Sequence, residues 1–153
     1  MDKIFFGLNI LVVIMMISAS DIAEKNSVTI YNNWNGLHMQ VEADSVTPKG
    51  LKLSVVNESL FAFRYGMFFR IEEYSDNAWR QVPFVDGEPG WFLVGYFVLP
   101  GFTAHETINW EHMHGHLQQG NYRLIKKFTE GLRTPKIPLD TIDFYLYVPF
   151  TIN

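Results

Sequence analysis

The residues best suited to chemistry stand together in the run Glu111-His112-Met113-His114-Gly115-His116. On a strand, His112, His114 and His116 would share one face; on a helix, His112 and His116 would meet at i, i+4. Three imidazoles beside a carboxylate suit Zn²⁺ or Cu²⁺, which makes the run a candidate metal site. A plainer role competes with it, a polar loop in which the histidines are simply solvated, and no cofactor is expected from this run alone.

The second set of candidates is aromatic. The chain carries 13 Phe, 7 Tyr and 4 Trp in 153 residues, more than a domain of this size must bury. Trp34, Trp91, Phe92, Tyr145 and Tyr147 are the candidate ligand-binding residues, with Tyr96 and Phe97 close by. Trp91-Phe92 follows Gly87-Glu88-Pro89-Gly90 at a loop-to-strand junction, where exposed rings could stack on a sugar or anchor a protein partner. Ordinary packing in the core or at a sheet edge is the competing use.

Catalytic patterns are missing. There is no Gly-x-Ser-x-Gly, Ser-x-x-Lys or His-Glu-x-x-His sequence, and His105 and Ser59 have no triad partners visible along the chain. The absence of cysteine removes thiolate metal sites, disulfides and cysteine nucleophiles together. A net charge of −4 with 18% charged residues points to neither a nucleic-acid surface nor a disordered polyelectrolyte. The expectation is a protein that binds and does not catalyse. Asn57-Glu58-Ser59 is a formal N-glycosylation acceptor.

The elements that must position these residues follow a leader. Lys3 precedes an apolar run from Ile4 to Ile17, and Ser18-Ala19-Ser20 ends it. That is the layout of a secretory signal peptide over residues 1–20, with cleavage before Asp21. The run falls short of the roughly 20 apolar residues that span a bilayer, so membrane attachment is expected only if the leader stays uncut. Residues 21–36 are polar and turn-rich and read as an N-terminal extension.

From residue 37 to 153 the period is two. Leu37, Met39 and Val41 alternate with His38, Gln40 and Glu42, and Leu51, Leu53 and Val55 alternate with Lys52 and Ser54. Tyr65, Met67, Phe69 and Ile71 make one apolar face, and Ser75-Asp76-Asn77 reads as a hairpin turn. Strands around 79–84, 92–99, 108–110, 122–128 and 142–148 follow, with turn signals between them. The fold class is all-β, an antiparallel β-sandwich of about 7–9 strands.

The order of several motifs carries a resemblance. A strand ends in Val56-Asn57, then come Tyr65-Gly66, Trp79 with Val82-Pro83, Leu99-Pro100-Gly101, and Leu117-Gln118-Gln119-Gly120-Asn121-Tyr122-Arg123. In this order the chain resembles the bacterial immunoglobulin-like domains of exported proteins, from about Leu37 to Phe150. The resemblance implies an Ig-like sandwich working as a secreted or cell-surface binding module, with a protein or glycan ligand and no common catalytic residues. Within such a sandwich Tyr122 would form a tyrosine corner and Trp79 would pack between the sheets. Small Ig-like proteinase inhibitors share part of the layout. They imply an alternative in which loop 85–91 or loop 130–138 enters a protease.

Overall fold

The computed structural model describes residues 28–92, 94–131 and 142–153. The leader, residues 21–27 of the N-terminal extension and most of loop 130–138 lie outside the described residues. Two sheets pack face to face. The first has the order β1 (Ile30–Tyr31), β11 (Asp143–Ile152), β10 (Gly120–Glu130), β5 (Phe63–Gly66) and β8 (Gly95–Val98). On it β6 (Arg70–Ser75) also lies along β10, and β7 (Ala78–Gln81) along β6. The second has the order β2 (Asn33–Trp34), β3 (Leu37–Val41), β4 (Gly50–Asn57) and β9 (Thr103–Asn109). All pairings are antiparallel except β1 on β11, where Ile30 faces Tyr145. Residues 30–34, read from the sequence as extension, thus place a short strand in each sheet.

The all-β sandwich is the expected architecture, with eleven strands among the described residues where 7–9 were expected. Part of the difference is the short β1 and β2 of the extension, and part arises where one apolar run is broken. Residues 65–71 alternate as a single strand in the sequence, but β5 and β6 are separate segments laid end to end along β10. Met67, expected on the apolar face, is exposed at the break, while Phe69 and Ile71 are buried. The break lets β5 take β8 as its outer neighbour and β6 take β7.

The long strands obey the period of two that their sequences carry. Phe144, Leu146, Val148, Phe150 and Ile152 of β11 face the core, as do Leu51, Leu53 and Val55 of β4. Fully burying such side chains contributes about 1.5–3 kcal/mol each. The β6–β7 hairpin turns on Asp76 and Asn77, both at positive φ (51° and 60°), a backbone these two residue types tolerate. Asn57 ends β4 and is 1% exposed. Its Nδ2 donates to the carbonyls of Phe61 (2.7 Å) and Val98 (3.1 Å), while Oδ1 accepts from the Ser59 backbone and hydroxyl. One amide therefore ties the end of the second sheet to the first, and the glycosylation acceptor is used up inside the fold.

Tyr122 forms a tyrosine corner: it is buried, and its hydroxyl donates to the Gln118 carbonyl four residues back at 2.9 Å. Its ring stacks on Phe150, which stacks on Trp110. Trp110 is the tryptophan of the core, fully buried, with its indole N–H donating to Pro48 O at 2.8 Å. Trp79, expected in that role, is 37% exposed on β7. The reason is register. Trp79 faces Tyr74 across the hairpin, on the outer side of the first sheet, so it covers Arg123 instead of the core.

Candidate functional site

The histidine run does not form a strand. Residues Glu111–His114 make a single helical turn, α1, between β9 and β10. His114 is buried, stacked on Phe84, with Nδ1 3.0 Å from Pro83 O. His116 pairs instead with Glu111 (2.9 Å), and His112 is exposed. The helical turn sends the imidazoles in different directions, and among the described residues no group of three or more potential ligands is placed to hold a metal ion. Lys49 and His116 flank Glu111 and hold its carboxyl down to about 2.

The aromatic candidates separate into three places. Trp34 stacks on Phe144 (4.8 Å) and meets Tyr31 edge-on, so it seals the end of the core. Tyr145 and Tyr147 lie half-buried on the outer face of the first sheet. There Arg123 is clamped by Glu72 (Nε 2.8 Å), with its guanidinium 4.5 Å from the Trp79 ring and 5.5 Å from that of Tyr147. Arg70 sits over Tyr145. This face is a ladder of cations and rings in which Glu72 pairs with both Arg70 and Arg123. Trp91 is partly buried against Phe68 and Phe69, and Phe92 is 78% exposed.

A Ser–His–Glu cluster emerges that the linear sequence conceals. On the second sheet, His105 Nδ1 lies 2.8 Å from Glu42 Oε1 and 3.1 Å from Ser54 Oγ. A nucleophile relay needs the serine on one ring nitrogen and the carboxylate on the other. Here both meet Nδ1, and Ser54 also donates to Glu42 at 3.1 Å. The cluster is a surface hydrogen-bond triangle, which holds the Glu42 carboxyl below its ordinary range.

The last two aromatics lead to the open side of the sandwich. β8 ends the path of the first sheet and β9 ends the second, and the Pro100-Gly101 turn follows β8 on the way to β9. Phe92, Val94, Tyr96, Phe97, Leu99 and Phe102 are all exposed along this side. Between the two edges opens a cavity of about 490 Å³, with walls from Tyr65, Phe69, Trp91, Tyr96, Glu106 and Met113 among others.

At the back of this region stands a buried ion pair. Lys126 of β10 is 0% exposed, and its Nζ donates to Glu106 Oε2 of β9 at 2.9 Å, joining one sheet to the other. Burial pushes the Lys126 ammonium down, and the Glu106 charge opposes that shift. Burial, followed by the neighbouring Glu106 carboxylate, pushes the Tyr65 phenol strongly up. Sequence reasoning passed over this pair, although a signal was present. Lys126 stands in phase with Tyr122, Leu124 and Phe128, and Glu106 with Ala104 and Ile108, so each charge occupies an inward position.

Two stacked, mainly antiparallel sheets, a tyrosine corner and a buried core tryptophan define an immunoglobulin-like β-sandwich. Residues 33–142 match the bacterial Ig-like domain family, and the chain belongs to that family. No curated protein and no solved structure matches it.

Proposed function

We propose that this protein is an exported, non-catalytic binding module that engages a polypeptide partner along edge strand β8. The observation that carries the reading is the exposed strip Phe92, Val94, Tyr96, Phe97, Leu99 and Phe102 on and beside that edge. Exposed apolar side chains therefore stand on both faces of this edge, Tyr96 on the cavity side and Phe97 on the other. An edge strand also offers unpaired backbone groups, and natural edges are commonly blunted by charge. Gly95-Tyr96-Phe97-Val98 carries none. An added strand would gain main-chain hydrogen bonds from β8 and apolar contact from its side chains. Export is supported by the leader pattern of residues 1–20 and by the family, whose domains occur in exported proteins.

A photo-crosslinker placed at Phe97 on cells of the host tests the reading. It is expected to capture one defined polypeptide, and Phe97→Lys is expected to abolish binding of that polypeptide. Equal capture from Lys52, on the second sheet, would refute the β8 assignment. N-terminal sequencing of the exported chain is expected to begin at Asp21. The inhibitor alternative has Val85 anchored, its N–H donating to Met113 O at 2.8 Å, ahead of exposed residues 86–88. Inhibition of a protease panel at micromolar protein would favour that alternative over strand addition.

A further inference from the structure

A cleft of about 440 Å³ opens on the outer face of the first sheet beside β8, with Arg64, Gly66, Phe68, Val94, Gly95 and Lys127 among its walls. Part of its floor is bare backbone, because Gly66 of β5 and Gly95 of β8 stand opposite each other in the register. A glycine inside a strand often marks a place where another chain comes close. At Gly95 the position a Cβ would take lies 3.6 Å from Arg64 Cδ and 3.8 Å from Cγ, so the arginine stem leans from β5 over β8. Arg64 is exposed, and its guanidinium has no counter-ion: Arg70 and Arg123 pair with Glu72 and Arg80 with Asp76, but among the described residues Arg64 makes no ion pair. The neighbouring Asp143 carboxylate is engaged at both oxygens, Oδ2 by Lys127 and Oδ1 by the Thr129 hydroxyl, each at 2.6 Å. Facing outward on β5, β6, β10 and β11 are Arg64, Arg70, Arg123 and Lys127 against Glu72 and Asp143. Cations are thus in excess on this face of a chain whose net charge is −4.

We infer that the polypeptide added to β8 carries an acidic side chain opposite Gly95, which pairs with Arg64 across the glycine. The inference rests on the β8 reading above and names a residue that the partner must bring. An added strand lies one strand spacing beyond β8, so its backbone is roughly 10 Å from that of β5. A glutamate reaching in and an arginine reaching out span that distance together, and a side chain at position 95 would stand between them. Charge selects the residue. Gly95-Tyr96-Phe97-Val98 carries no charge of its own, so the cation offered at this edge is the one leaning over it from β5. A carboxylate takes the guanidinium fork with both oxygens, whereas glutamine offers one neutral acceptor and a lysine is repelled. Phe97 stands on the same face two positions on, and gives the same strand its apolar contact.

The test uses two heptapeptides capped at both ends, Thr-Val-Thr-Glu-Thr-Val-Thr and its Gln counterpart, which differ by one carboxylate. NMR titration of the whole exported chain follows the β8 amides and the Arg64 Nε–H resonance, assigned by its loss in Arg64→Met. Both peptides are expected to perturb the β8 amides. The Glu peptide is expected to bind about 2–5-fold more tightly, the value of an exposed ion pair, and to lose that advantage in about 0.5 M salt. Arg64→Met is expected to make the two peptides equal while leaving the Gln peptide unchanged, and Arg64→Lys to keep part of the preference. Arg64→Glu is expected to turn the preference toward the Lys counterpart. Equal binding of the Glu and Gln peptides to the parent overturns the inference, and β8 shifts from both would leave the edge assignment standing. A Glu preference that survives Arg64→Met overturns the role of Arg64. Acetate that shifts Arg64 as far as the Glu peptide does at equal concentration overturns the strand-borne source. Absence of β8 shifts with either peptide overturns the inference as well, and the edge assignment is then decided by its own cross-linking test.

Discussion

Replacing Lys126 and Glu106, singly and together, measures what joins the two sheets. Their Nζ–Oε2 separation is 2.9 Å and the lysine is wholly inaccessible. At an effective dielectric constant near 20, that separation corresponds to an attraction of about 6 kcal/mol. Desolvating the two ions costs several kcal/mol each, so the pair is near balance as a whole while neither member is stable alone. Lys126→Met leaves the Glu106 carboxylate partly buried with no counter-charge, and is expected to lower unfolding free energy by about 3–5 kcal/mol. Glu106→Leu, which strands the ammonium, is expected to cost a similar amount. The double variant is expected within about 1 kcal/mol of the parent, or above it, because two apolar side chains then fill the same space. Urea unfolding of the four proteins reads the coupling, expected to exceed about 3 kcal/mol. Losses that simply add, with a coupling under about 1 kcal/mol, would refute the claim that the charges stabilise one another across the sandwich.

Other consequences are narrower. Tyr122→Phe removes the hydroxyl that donates to Gln118 O, and is expected to lower stability by about 1 kcal/mol in a denaturant melt without altering the fold. Asn57→Ala leaves the Phe61 and Val98 carbonyls without their donor, and is expected to cost about 2–3 kcal/mol by the same assay. In a glycosylating host, intact-mass measurement of the folded chain is expected to find Asn57 unmodified. The carboxyl of Glu111 is held to about 2 in the folded chain, against an ordinary 4.5. A depressed acid contributes stability above pH 4.5 and loses it as pH falls toward 2. Lys49→Met is therefore expected to flatten that acid limb, lowering stability above pH 4.5 while leaving it nearly unchanged near pH 2, as read by urea unfolding across that range.

The period of two along strands such as β4 and β11 is enough to place their faces, because a sheet with one buried side demands alternation. The motif order was equally legible: Asn57 ends a strand because its amide must reach two carbonyls, and Tyr122 follows Gly120 because the ring folds back on its own turn. Two errors share a cause. The family resemblance puts Trp79 between the sheets and the alternation of 65–71 puts Met67 on the apolar face, but register and the break between β5 and β6 decide their side. Of the arrangements open to the histidine run, a strand, a helix or a polar turn, the fold takes one helical turn, which local spacing alone does not select.

By itself, then, the sequence determined that this is a two-sheet all-β domain, free of disulfides, with its tyrosine corner and strand-end asparagine in place. The alternation and the tyrosine corner depend on residue type and on neighbours a few positions away. Only the tertiary structure decided which edges stay unpaired, and that β8 and β9 flank one cavity. It also decided that Lys126 meets Glu106 from the opposite sheet, twenty residues away in the chain. Such pairings depend on how two sheets are stacked, which no local pattern encodes, and the candidate site is made of them.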